Sequence, residues 1–214
     1  MYMYKGPPRL GIDEEVNGAV ALFLREMERS TQTTPILQRT DVGKPFFASS
    51  DIVFSISHTK DLWACLFGVA QPQDYMGLEQ ECLGSAPPCS LGLDIQEKRP
   101  TNYLAVAKRF FAQEEMQIVL TTYKKDGAPG ERTKDTFYRI WAAKEAYTKY
   151  LGCPLGRTIG QNIFSHLKEK KINLLIFDIA PDVVAAICGP FTGKEIPPLR
   201  SIVTEKTSRK ETTA

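Results

Sequence analysis

Histidine is scarce in this sequence. Two occur in 214 residues, His58 and His166, which excludes a metal centre built mainly from imidazoles. Paired cysteine motifs are missing as well. The five cysteines, Cys65, Cys82, Cys89, Cys153 and Cys188, are odd in number and contain no C-x-x-C. A disulfide framework and a zinc ribbon are both disfavoured, and reduced thiols in a cytoplasm are the simpler reading. No apolar run approaches the roughly 20 residues of a membrane span. The opening MYMYKGPPRLG has no basic start followed by an apolar stretch, so no signal peptide is expected. An excess of one charge is also absent: Lys+Arg 27 against Asp+Glu 25 gives +2. No global field calls for nucleic acid or a membrane surface, although a local basic patch remains open. What is present is ordinary globular material, 43% hydrophobic and 24% charged, long enough for one large core or two small packed halves.

Periodicity places the elements. Ile12 to Arg29 predicts a helix, with Val16, Val20, Phe23, Leu24 and Met27 at three-to-four spacing and acidic residues in the first turn. RTDVGKPFF reads as a turn. DIVFSISH alternates Ile52, Phe54 and Ile56 on one face of a half-buried strand. LWACLFGVA is a continuous apolar run, as in a strand buried on both faces. Residues 71–89 read as a surface excursion. SLGLDIQ predicts a further strand. Helices are expected after the proline of RPTNYLAVAKRFF, over Gln113 to Tyr123 and over Thr133 to Leu151, and a hairpin over KINLLIFDIA and DVVAAICG. The tail after Gly189 is rich in Pro, Lys and Thr. Its last dozen residues lack a hydrophobic period and are expected to be disordered.

The fold expected is α+β: two similar α+β halves in a pseudo-twofold arrangement, with an active-site cleft between them. The boundaries are 1–89, 90–189 and a tail over 190–214.

Chemistry concentrates in four stretches: GKP (43–45), SISHT (55–59), GLDIQ (92–96) and WAAKEAYTK (141–149). Each has an ordinary structural use when read singly. GKP makes turns, a histidine at a strand end makes hydrogen bonds, an Asp after Gly-x marks a bend, and an adjacent Lys-Glu pair sits on solvated helix faces. Their combination says more. Asp94, flanked by Leu93 and Ile95, points to the face opposite them, and a buried carboxylate needs a partner or a metal. Glu145 lies between Ala143 and Ala146, where small neighbours let a ligand approach. Two carboxylates from two elements, with phosphate oxygens and water, are a usual way to hold Mg²⁺. Lys44, His58, Lys144 and Lys149 supply positive groups for phosphates.

GKPFF, FSISHT, GLDIQ, AKRFFAQEE and FYRIWAAKEAYTKYLG resemble the 4′-phosphopantetheinyl transferases, in their longer, monomeric, two-half type (the Sfp type). The resemblance runs from about Ala19 to Gly189, and the Asp94-to-Glu145 spacing suits the family pattern G-[IV]-D-[IVL]-E followed by W-x-x-K-E-[AS]. It implies transfer of the 4′-phosphopantetheine arm of coenzyme A to a serine of an acyl or peptidyl carrier protein, with Mg²⁺ and release of adenosine 3′,5′-bisphosphate. Asp94 and Glu145 are then metal ligands, with Gln96 as a third, neutral one. Glu145 and Lys149 carry the catalysis, Glu145 also taking the serine proton directly or through water. Lys44, Ser57 and His58 contact the nucleotide and its 3′-phosphate, and Lys144 and Lys149 contact the pyrophosphate. AKRFFAQEEMQIVL offers a carrier-docking surface at Met116 and Val119, with Lys124 and Lys125 beyond; the same stripe also reads as core.

Two departures from the family count. Gln96 stands where the family has a second carboxylate. Family members also usually place an additional strand and a basic helix before the stretch resembling ALFLREM, where this sequence has eighteen residues before Ala19. Arg9, Arg25 or Arg39 are the candidates to grip the 3′-phosphate instead. These departures support a second reading, an inactive relative that binds coenzyme A or a carrier protein. A third is an unrelated Mg²⁺-dependent nucleotide hydrolase.

Overall fold

The structure, a computed structural model, describes residues 1–7, 11–28, 34–40, 43–70, 91–127, 130–191 and 195–201. The expected surface excursion at 71–89, the last dozen residues and Arg9 lie outside the described residues.

The chain opens with strand β1 (Tyr2–Gly6) and helix α1 (Ile12–Glu26). Asp13, Glu14 and Glu15 fill the first turn of α1, and Arg25 stands in the last, each sign at the helix end that favours it. A short hairpin follows, β2 (Leu37–Arg39) and β3 (Pro45–Phe47), turning through Gly43 at φ 83. Next come β4 (Ile52–His58), β5 (Trp63–Val69) and β6 (Gly92–Glu97). Helices α2 (Tyr103–Phe110), α3 (Gln113–Asp126) and α4 (Glu131–Leu151) follow. A 3-10 turn (Leu155–Arg157) leads to α5 (Ile163–Glu169). The hairpin β7 (Asn173–Ala180) and β8 (Val183–Gly189) and a last strand β9 (Leu199–Ser201) complete the described chain. The fold is α+β.

Two sheets organise these elements, one in the order β4-β5-β1-β9 and one in the order β6-β8-β7. The strand period of two sorts their side chains into layers. Cys65 and Phe67 of β5 pack with Val16, Val20 and Phe23 of α1. The alternate residues Ala64 and Leu66 meet Leu93 and Ile95 of β6 and Val183, Ala185 and Ile187 of β8. Val184, Ala186 and Cys188, on the other face of β8, pack under α4 with Ala142, Ala143 and Ala146. The order of layers is therefore helix, sheet, sheet, helices. Full burial of a side chain such as Leu93 contributes about 1.5–3 kcal/mol, so the shared middle layer welds the two sheets together.

The ends of the chain differ from expectation. Tyr2–Gly6 forms a strand before α1. Part of the tail also folds: Leu199–Ser201 pairs in parallel with β1. The first sheet thus takes strands from near both ends of the chain. The turn expected at GKPFF is a small hairpin, and α5 was not foreseen. The two sheets have four and three strands, in different orders.

Candidate active site

The edge strands β4 and β6 meet at a seam. The N–H groups of Leu93 and Ile95 on β6 donate to Ser55 Oγ at 2.8 Å and to Ser57 Oγ at 3.1 Å on β4. Two serine hydroxyls therefore satisfy backbone donors that a bare sheet edge would leave open. Helix α4 covers the seam. A Cβ on Gly92 would stand 1.9 Å from the Ala146 carbonyl oxygen, so the missing side chain is what lets β6 and α4 approach.

Asp94 sits in this seam, 2% exposed. Its Oδ1 accepts from Ser57 Oγ at 2.8 Å and from Lys149 Nζ at 2.8 Å, and its Oδ2 accepts from Gln96 Nε2 at 2.7 Å. Lys149 also donates to the Ile56 carbonyl at 3.3 Å, tying the end of α4 to β4. Glu145, one turn before Lys149, has its carboxyl pushed up to about 7. Burial is the largest cause and the charge of Asp94 the next; Lys149 and a hydrogen bond from the Trp141 indole oppose them. The two carboxylates thus act on one another, and Lys149 bonds to Asp94. On the other side of Lys149, Lys44 donates from Nζ to the Lys149 carbonyl. A pocket of about 290 Å³ opens there, lined by Lys44, Pro45, Ser55, Lys149 and Cys153 among others.

Of the residues singled out from the sequence, Asp94, Gln96, Glu145, Lys149, Ser57 and Lys44 are brought together. Ser57 is turned inward to Asp94 and to the β6 backbone rather than outward to a nucleotide. His58 closes β4 as an exposed residue opposite Trp63. Lys144 stands elsewhere, and the expectation that it reaches the pyrophosphate does not survive the geometry. It is 2% exposed and donates from Nζ to Glu115 Oε2 and to the Gln161 carbonyl, each at 2.8 Å. Burial pulls its pKa down, against the opposing charge of Glu115. A residue 100° round the helix from Glu145 does face a different way, and here that way is the core. The expected docking stripe divides as well. Val119 is fully buried and Met116 packs on the same core, whereas Ile118 is exposed.

Glu115, Trp141 and Ser55 were missed. Ser55 carried a usable signal: Ser55 and Ser57 alternate with Phe54 and Ile56, which put two hydroxyls on one face of the strand.

Asp94 and Glu145 are the residues here that could hold a metal ion, and they number two. Among the described residues no group of three or more His, Cys, Asp or Glu is placed to hold a metal ion. The seam offers two carboxylates, of which Glu145 is discouraged from ionising by burial first and by Asp94 next. A neutral amide stands beside them, and a half-turn of Gln96 would present its oxygen. Mg²⁺ accepts one or two carboxylates and draws its other ligands from phosphates and water.

Residues 90–188 match the family model of the 4′-phosphopantetheinyl transferase superfamily. Through this segment the chain belongs to that superfamily. It is 36% identical over 70 residues to the 4′-phosphopantetheinyl transferase psf-1 of Bacillus pumilus, covering 33% of this chain and 27% of that protein. It is 30% identical over 158 residues to a phosphopantetheinyl transferase of Thraustochytrium, covering 68% and 48%, and 29% identical over 113 residues to Sfp of Bacillus subtilis, covering 52% and 39%. The chain spans between 27% and 48% of the length of these relatives.

Proposed function

We propose that the protein transfers the 4′-phosphopantetheine arm of coenzyme A to a serine of an acyl or peptidyl carrier protein, with Mg²⁺, releasing adenosine 3′,5′-bisphosphate. The observation that carries this reading is the grouping of Asp94 and Glu145 with Lys149, which also lines a pocket together with Lys44. The serine oxygen forms a bond to the β-phosphorus of the pyrophosphate, and the bond to the bridging oxygen breaks, its electron pair leaving with the nucleotide. Asp94 and Glu145, with Gln96, would hold the ion, which when bound supplies neutralisation of the charge growing on the leaving phosphate.

The protein's own groups account for the rest. Lys149 and Lys44 place ammonium groups against the pyrophosphate, where preorganised charge acts strongly in a water-poor site. Glu145 takes the serine proton directly or through a water. His58 would meet the nucleotide from the exposed end of β4. Ile118, with Lys124 and Lys125 further along α3, offers an apolar and basic face to an acidic carrier helix.

The experiment is a mass measurement. A carrier protein incubated with coenzyme A, Mg²⁺ and this protein should gain one phosphopantetheine arm. Absence of the gain, with binding of coenzyme A retained, would instead favour the inactive binder, a reading supported by the neutral Gln96 beside Asp94. Phosphate release without any acceptor would favour a hydrolase.

A further inference from the structure

Helix α4 carries two rows of polar side chains. Lys144 and Thr148 lie four residues apart, as do Glu145 and Lys149, and the rows stand about 100° apart round the axis. The row of Glu145 faces the seam. The row of Lys144 is tied down on the other side. Lys144 joins Glu115 of α3 and the Gln161 carbonyl. Thr148 donates to the Lys144 carbonyl at 2.8 Å and meets the Thr158 hydroxyl at 2.6 Å. Glu115 holds more than Lys144. Besides Lys144, it accepts from the Ala112 N–H at the start of α3 and from the Ile163 N–H at the start of α5, each at 3.0 Å.

We infer that Glu115, Lys144, Thr148 and Thr158 are positioning residues, whose buried contacts fix the rotation of α4 and so aim Glu145 and Lys149 at the seam. The inference rests on the transferase reading of that seam. The ion pair is 2% and 1% exposed, and a buried pair of this kind is often matched in stability by an apolar one. Its distinctive property is direction. An apolar patch lets a helix roll, whereas an ammonium held between a carboxylate and a carbonyl does not. Gly92 against Ala146 sets how deep α4 lies, and the Lys144 row sets which way it faces. A roll of about 20° at a side-chain radius of about 6 Å would carry a carboxylate about 2 Å. Displacements of that size cost orders of magnitude in rate where positioning does the work.

The test uses two variants of the full chain. Glu115→Gln/Lys144→Met removes both charges together, and Thr148→Val keeps the ion pair but removes the hydroxyl. Each is assayed for transfer to a carrier protein, for binding of Mn²⁺ alone by electron paramagnetic resonance, and by its crystal structure. The expected result is a folded protein with KM for coenzyme A within about threefold of wild type and kcat lower by about tenfold or more. The Lys149–Asp94 contact should lengthen, and Mn²⁺ binding should weaken, because losing Glu145 from the site outweighs freeing Asp94 from Lys149. A folded double variant with kcat, Mn²⁺ affinity and α4 orientation all as in wild type overturns the inference. A changed KM with unchanged kcat also overturns it, because it would mean that Lys144 touches substrate. If the double variant fails to fold, Thr148→Val decides on the same readouts. If the wild type transfers nothing, the transferase reading falls, while the crystal structures and Mn²⁺ binding still decide whether these residues aim Glu145.

Discussion

Lys149 Nζ lies 2.8 Å from Asp94 Oδ1, so the one ammonium in the seam occupies the carboxylate that a cation would need. Lys149 and a metal ion therefore compete for Asp94. Lys149→Met should lower the transfer rate by about a hundredfold or more through lost phosphate stabilisation. The same variant should bind Mn²⁺ alone more tightly, by about fivefold, since Asp94 is no longer neutralised from within. Titration of the metal-free variant with Mn²⁺ checks this. Weaker binding than wild type would show that Lys149 helps to build the metal site instead of filling it.

Glu145 makes the metal-free protein sensitive to pH. Its carboxyl is raised from an ordinary 4.5 to about 7, by burial first and by Asp94 next. Between those values the folded protein keeps a proton that the unfolded chain has lost. Stability from this group is therefore complete at low pH, falls as pH rises through the window, and is fully lost above about 7. Glu145→Gln removes the effect. In chelator at pH 8 the variant should be more stable than wild type, by a difference on the order of 1–3 kcal/mol, and at pH 5 the difference should nearly vanish. Urea midpoints at the two values measure it. An advantage equal at both would mean that Glu145 does not titrate in the window.

Much of this site was legible because its logic is local. The alternation through residues 52–58, the apolar neighbours of Asp94 and the long helix after Thr133 each follow from a short stretch of sequence. Lys144 was misread for a physical reason. Spacing along a helix says that Lys144 and Glu145 face different ways, but not which way is the core. The answer lay in Glu115, twenty-nine residues away, whose carboxylate reaches Lys144. Strands β1 and β9 were missed because their pairing joins opposite ends of the chain. Three residues such as Leu199–Ser201 have no periodicity of their own; the hydrogen bonds offered by β1 make them a strand.

Position 96 separates two roles for β6. Gln96 donates to Asp94 Oδ2 at 2.7 Å, so it lies close to any ion that Asp94 holds. Gln96→Glu would set carboxylate against carboxylate, lowering the melting temperature in chelator. With Mg²⁺ the added charge should lower the half-saturating metal concentration at fixed coenzyme A. A titration showing an unchanged or higher requirement would place residue 96 outside the metal's reach.

The strand at the chain's end should matter to stability. Met3 is fully buried, its N–H donates to the Pro198 carbonyl at 3.1 Å, and Arg200 Nε meets Glu26 Oε1 at 3.0 Å. Ending the chain before Pro198 strips one edge of β1. The expected cost is about 1–3 kcal/mol, the range for leaving buried polar groups without partners. A chain ending after Ser201 is the comparison that isolates β9. Equal urea midpoints for the two would show that β9 adds nothing to the first sheet.

Gly92 should tolerate no side chain. An alanine Cβ there would stand 1.9 Å from the Ala146 carbonyl oxygen and 2.7 Å from the Tyr150 N–H nitrogen. Both are backbone atoms of α4, so no rotamer change relieves the overlap. Either α4 lifts off β6 or the strand shifts. Lifting α4 would open the layer beneath Ala143 and Ala146 and loosen packing against Ala186 and Cys188. Shifting the strand would break the bonds that Ser55 and Ser57 make to β6. Each route costs about 3 kcal/mol or more, by overpacking or by stranding buried donors. The glycine of the G-x-D stretch is thus a condition of the carboxylate two residues on, since Asp94 meets Lys149 only while α4 lies close. Gly92→Ala should therefore lower both the melting temperature and metal binding, whereas Gly43→Ala, where a Cβ meets nothing within 4 Å, should leave the seam intact and strain only its own turn. A Gly92→Ala protein with wild-type stability and Mn²⁺ affinity would mean that α4 does not rest on β6 at this depth.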